Sequence, residues 1–246
     1  MMDVLLKHKS IRRYTKEPIS DDLLNEIVNA GCRASTTGNM QLYSLINTTD
    51  PEIKRLLSPF HFNQKMIETA PNVFTICADF NRFKKWCFFN NAIPGYDNFL
   101  SFLTAMTDAL LFAQNISIAA ESKGIGICYL GTTIYNAKGI IDVLNLPKGV
   151  VPVTTLTLGW PDEDPKQVDR LPLDSIIHKE KYSDFTEDDI KSYYKEKESL
   201  EENLKFIAEN KKETLAQVFT DVRYKKADNE YFSAQIFEVL KNQGFI

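Results

Sequence analysis

The chain has 246 residues, of which 43% are apolar and 25% charged, values that suit a globular protein with a sizeable core and exclude a disordered or collagen-like chain. At roughly 150 residues per domain, this length means one large domain or one domain with an appendage. A net charge of −4 and the lack of any basic stripe argue against a nucleic-acid partner.

At the N-terminus, a short helix is predicted over residues 3–8. Ser20 followed by Asp21 and Asp22 reads as a capped helix start, with Leu23, Leu24, Ile27, Val28 and Cys32 at helical spacing. A strand is predicted over 42–48, then a helix opened by Asp50-Pro51. Another short helix over 64–69 is stopped by Pro71. Residues 72–78 form the clearest buried strand, and an aromatic stretch over 83–96 succeeds it. The longest helix is predicted over 97–123, capped by Asp97 and ended by Gly124. It is apolar nearly all round, which implies burial on several faces, and its alanines permit close approach of another helix.

A strand over 125–130, a helix over 136–144 and a last core strand over 150–158 complete the regular part. Beyond Asp162 a polar loop leads to helical segments: 187–212 is strongly charged with a thin apolar seam, and 231–243 is amphipathic. The sequence thus predicts an α+β core over 1–178 and a helical C-terminal extension over 179–246. No window approaches the ~18 uninterrupted apolar residues of a membrane span. The four cysteines form no C-x-x-C pair, and the three histidines lack a spaced partner. Reduced thiols in a cytoplasmic protein, with no metal site and no membrane association, are the expectation.

The densest group of cationic and hydrogen-bonding side chains is His8-Lys9-Ser10-Ile11-Arg12-Arg13. Arginine offers a planar fork to phosphate oxygens and serine adds a short donor. Taken alone, such a hexapeptide is more often solvated surface. Its meaning comes from residues further along the chain. His8 to Tyr14 with Glu17-Pro18-Ile19-Ser20, then Arg33 to Gln41, then Gln64 ahead of Ala70-Pro71, come in order. After them come Ala119 to Gly126 leading to Tyr129-Leu130-Gly131, and Leu158-Gly159-Trp160-Pro161 leading to Arg170-Leu171-Pro172. This order and spacing closely resemble the FMN-dependent nitroreductase family, in its branch of NADPH-type nitroreductases and flavin reductases with a helical C-terminal extension.

The resemblance implies a central, mostly antiparallel sheet flanked by helices in an intertwined homodimer. It implies tightly but non-covalently bound FMN, with NADPH or NADH as co-substrate and a small-molecule electron acceptor. His8, Lys9, Ser10 and Arg12 would surround the FMN phosphate and ribityl chain, and Arg170 would add a second cation. Thr36, Thr37 and Asn39 would meet the ribityl and pyrimidine end, and Tyr129, Leu130 and Gly131 would run along the ring. Gln64 would lie near the flavin of the other subunit's site. No side chain is assigned as a catalytic nucleophile, acid or base, since the flavin carries the chemistry.

The sequence departs from that branch in two places. Val168 stands where relatives carry a lysine, with Lys166 the nearest replacement. Residues 209–213 hold Lys211 and Lys212 between acids where relatives carry arginines, so the choice between NADPH and NADH stays open. Bland readings stand beside the functional ones: Arg13 facing solvent or a carboxylate, Tyr129 as an ordinary strand aromatic, Trp160 as a packing residue. The functional reading is a ping-pong oxidoreductase passing hydride from NAD(P)H to nitroaromatics, quinones or flavins. The alternatives are a flavoprotein of the same fold with other chemistry, such as reductive dehalogenation or flavin-derived biosynthesis, and a non-enzymatic interaction protein.

Overall fold

The computed structural model describes residues 2–246. They form two compact units, one reaching to Lys166 and also taking in residues 232–246, the other spanning Gln167–Tyr231. The C-terminal segment expected as one extension is helical, but its last residues return to the first unit.

In the first unit, helix α1 (Met2–Leu6) precedes α2 (Asp21–Gly31). Ser20 caps α2 by accepting the Leu23 N–H at 3.3 Å, and Asp21 and Asp22 favour the positive end of the helix. Strand β1 (Tyr43–Thr48) is followed by α3 (Pro51–Leu57), capped by Asp50, and by α4 (Met66–Thr69). Next come β2 (Asn72–Asp79), α5 (Asn81–Phe89), α6 (Phe99–Ser122), β3 (Gly126–Leu130), α7 (Ala137–Leu144) and β4 (Val150–Gly159). The four strands pair antiparallel throughout in the order β1-β2-β4-β3. Every residue of β2 and β4 is buried, as expected of central strands covered on both faces. Pro152, which cannot donate to the ladder, pairs with Cys77 at the register shift between Ile76 and Cys77.

Helix α6 buries Phe102, Ala105, Ala109, Phe112, Ala113, Ile116 and Ala120 in the core. Phe112 stacks on Tyr43 with ring centroids 4.2 Å apart, and burying such a ring stabilises the fold by roughly 1.5–3 kcal/mol. Gly31 lets α2 approach α6 closely, since a Cβ there would stand 2.5 Å from Ile116 Cγ1. The cap of α6 is Asn98, whose side chain accepts from the Ser101 N–H, one residue beyond the expected Asp97. The aromatic stretch left without a predicted element begins as α5, whose Arg82 N–H is received by Asp79. Its exposed Trp86, Phe88 and Phe89 hide the helical period.

The second unit holds α8 (Glu187–Ser199), started by a Thr186/Asp189 capping box, α9 (Glu201–Glu209) and α10 (Leu215–Val218). Extended backbone at Leu200 separates α8 from α9, so the charged segment is two helices. Helix α11 (Lys226–Gln243) then leads back, and Val239, Leu240 and Phe245 enter the core of the first unit. Phe245 packs 5.7 Å from Phe102.

Candidate functional site

Strand β3 is an edge strand, and the N-terminal cationic segment occupies its free side. Ser10 forms a parallel bridge to Ile127, and the Ile11 N–H donates to the Ile127 carbonyl at 2.8 Å. Gly126 makes this approach possible: a Cβ there would lie 2.8 Å from Ile11 Cβ. Tyr14 fastens the segment to β4. Its buried hydroxyl donates to the Ile11 carbonyl at 2.5 Å and pairs with Thr157 Oγ1 at 2.7 Å, and burial pushes its pKa up. The segment carrying His8, Lys9, Ser10 and Arg12 therefore runs alongside the strand carrying Tyr129 and Leu130.

Acidic groups hold the cluster in shape. His8 Nδ1 lies 2.7 Å from Glu121 Oε1 at the end of α6. Glu163 Oε1 accepts the N–H groups of Arg12 and Arg13 at 2.5 and 3.0 Å, and the Arg13 guanidinium pairs with the same carboxylate at 3.3 Å. The Arg12 N–H, first among these partners, holds the Glu163 carboxyl below the usual carboxylate range. Lys9 Nζ lies 2.6 Å from Asp164, whose side chain is 88% exposed. Exposed pairs of this kind are worth at most about 1 kcal/mol, so Lys9 can exchange Asp164 for a phosphate at little cost. Burial pushes the Cys128 thiol up, while the Arg12 guanidinium beside it pulls the other way. Guanidinium, ammonium, hydroxyl and imidazole on one strand-paired segment form a donor set that fits a phosphate dianion.

Leu130 is buried, Tyr129 is half-buried with its hydroxyl 3.3 Å from Gln114, and Gly131 is exposed. Nothing lies within 4 Å of where a Gly131 Cβ would stand, leaving room for a flat group against the backbone. Thr36, Thr37 and Asn39 lie on a loop anchored to α6. Asp108, buried in the middle of that helix, accepts the Thr37 N–H, the Thr37 hydroxyl and the Leu42 N–H. Asn39 and Gly38 adopt positive φ here. The Thr36 hydroxyl is buried with no hydrogen-bond partner among the described residues, a polar atom suited to a ligand contact.

Gln64 follows a short turn (Ser58–His61) that docks on the loop after β3, where His61 meets Thr132 and Asn136 reaches the Phe60 carbonyl. Within the second unit, exposed Arg170 donates to the carbonyl of Asp169 at 2.8 Å. Sequence reasoning missed Asp108, Glu163, Glu121 and His61. A lone aspartate inside an otherwise apolar helix was the available signal for the first, and the acidic run Asp162-Glu163-Asp164 for the second.

Comparisons with known proteins agree with this geometry. The sequence model of the nitroreductase family matches residues 5–160. The NADPH-flavin oxidoreductase of Vibrio harveyi is 32% identical over 192 residues, covering 78% of each chain. The oxygen-insensitive NADPH nitroreductase of Salmonella typhimurium is 34% identical over 186 residues, covering 76% of each. A crystal structure from Bacteroides fragilis is 56% identical and superposes at a TM-score of 0.98 over 100% of both chains. The NfrA1 nitroreductase from B. subtilis superposes at 0.87 with 29% identity, over 99% of this chain and 98% of that one. A family match over most of the first unit, together with a superposition over nearly the whole chain, means that this chain belongs to the nitroreductase family.

Proposed function

We propose that this chain is an FMN-dependent oxidoreductase that uses NADPH or NADH to reduce small acceptors such as nitroaromatics, quinones or flavins by a ping-pong sequence. The observation that supports the reading is the pairing of residues 10–11 with Ile127, which brings the side chains proposed to bind phosphate alongside the strand that leads to Tyr129, Leu130 and Gly131. Bound FMN would supply the hydride chemistry. The residues of the chain bind and orient it. Lys9, Ser10 and Arg12 hold the phosphate with His8 beside them, and Arg170 is proposed as a further cation. The backbone at Gly131 takes the ring, and Thr36, Thr37 and Asn39 take the ribityl and pyrimidine end. Docking of the Gln64 turn on the loop after β3 favours a contact from Gln64 to the flavin built on its own chain.

The exposed side of α6 supports a homodimer. Leu100, Leu103, Leu110 and Leu111 form an apolar stripe, with Leu100 72% exposed. Stripes of this kind on a helix otherwise sunk in the core mark protein interfaces. Two copies meeting there would complete a flavin site from both, as a cytoplasmic dimeric enzyme. The test is an anaerobic titration of the purified, FMN-incubated protein with NADPH and then NADH. Bleaching of the yellow colour is expected, with restoration by a nitrofuran or a quinone. Protein that stays colourless after FMN incubation would remove the reading, and a flavin-loaded monomer in size-exclusion chromatography would remove the shared site.

A further inference from the structure

His61 is a fully buried imidazole whose ring makes a single polar contact among the described residues, Nδ1 to Thr132 Oγ1 at 2.9 Å. Its Nε2 is buried with no hydrogen-bond partner among the described residues. Burial alone lowers its pKa, to about 4, so the ring is neutral at working pH. Packing does not account for this choice. The turn that carries His61 packs on α3, α4 and α7, and a leucine in this fully buried position would avoid the desolvation of an unsatisfied nitrogen. What the imidazole adds is a bond between two loops.

Both loops carry proposed flavin contacts. The Gln64 N–H donates to the His61 carbonyl at 3.2 Å, so the turn that presents Gln64 hangs from this residue. Thr132 directly follows Gly131, whose exposed backbone has no side chain to anchor it. Thr133 holds the loop on the other side, its hydroxyl donating to the Leu130 carbonyl and pairing with Thr155 Oγ1, each at 3.0 Å. Asn136 to the Phe60 carbonyl at 2.9 Å is the second side-chain link between the same two loops.

We propose that His61 is a positioning residue of the flavin site, acting through Thr132 to fix the Gly131 backbone and the Gln64 turn in register with each other. The inference rests on the reading of residues 129–131 and Gln64 as flavin contacts.

The test uses the full chain reconstituted with FMN. Thr132→Val removes the hydroxyl at constant shape, and His61→Leu removes the imidazole at similar volume. His61→Asn keeps a polar atom near the Nδ1 position. Each of the first two variants is expected to raise the FMN dissociation constant roughly three- to tenfold, the range of one lost hydrogen bond, and to shift the visible absorbance of bound FMN. The double variant should be no worse than either single one, because both remove the same bond. His61→Asn should restore the wild-type spectrum. Unchanged affinity and spectrum in Thr132→Val and His61→Leu, or simple addition of their effects, would overturn the proposal. A wild-type protein that takes up no FMN would overturn the reading of the site beneath it, and that outcome is visible before any variant is made.

Discussion

Thr37 gives both its backbone N–H and its hydroxyl to the same oxygen of Asp108, at 2.9 and 3.1 Å, while the Leu42 N–H reaches the other oxygen at 3.3 Å. The loop carrying Thr36, Thr37 and Asn39 is thus pinned to the core by one carboxylate, 1% exposed. In Asp108→Asn the retained oxygen still serves Thr37, but the new amide N–H₂ faces the Leu42 N–H, donor against donor. A loss of about 2 kcal/mol in stability is expected, together with weaker FMN binding as the loop loosens. Urea denaturation and an FMN titration measure the two separately. Reduced stability with unchanged FMN affinity would place the loop outside the flavin site.

Gly126 is the point where the N-terminal segment and β3 come closest. In Gly126→Ala the new methyl would meet Ile11 Cβ, Cγ1 and Cγ2, all within 2.9 Å, so Ile11 and the bridge from Ser10 must move. Overpacking of this kind costs about 1–3 kcal/mol. Because the same displacement carries Lys9 and Arg12 out of line with Tyr129, FMN affinity should fall as well. Full retention of FMN at reduced melting temperature would separate the strand pairing from the phosphate site.

Much of this fold was legible because local signals agreed with tertiary needs. Ser20 and Asp50 cap helices as their types demand, the run at β2 is buried on both faces, and Trp160 packs beside the core. What stayed hidden was whatever depends on partners distant in sequence. Asp108 reads as one polar interruption of an apolar helix until the loop 66 residues earlier is folded onto it. Likewise, the acidic run around Glu163 marks a carboxylate but does not say that it will hold the backbone of Arg12 and Arg13, about 150 residues earlier. The register of Ser10 on Ile127 comes from a glycine whose role is visible only with Ile11 against it.

The phosphate cluster yields two predictions of opposite sign. Arg12→Ala should lower FMN affinity about tenfold or more, since charge-assisted bonds to phosphate are stronger than neutral ones. Asp164→Asn should raise it a little, because Lys9 no longer has a carboxylate at 2.6 Å competing with the phosphate. Equilibrium dialysis with FMN at low salt reads both. Loss of affinity in Asp164→Asn would show that the acid orients Lys9 instead of competing for it.

His61 makes stability depend on pH in a window set by its two protonation equilibria. Its pKa falls from the ordinary 6.5 to about 4 in the folded protein because burial disfavours the charged ring. Between those values the unfolded chain binds a proton that the folded chain refuses, so acid favours unfolding. The contribution of the neutral ring is complete above 6.5 and is lost progressively as the pH falls toward 4. Integrated from about pH 7.5 to about pH 5, the loss is about 2 kcal/mol. Other groups titrate over the same range, so the measurement is the difference between wild type and His61→Asn in urea midpoints across it. The gap should change by about that amount, with the wild type losing more as acid is added. Parallel curves would mean that the imidazole is solvated or protonated within the fold, contrary to its complete burial.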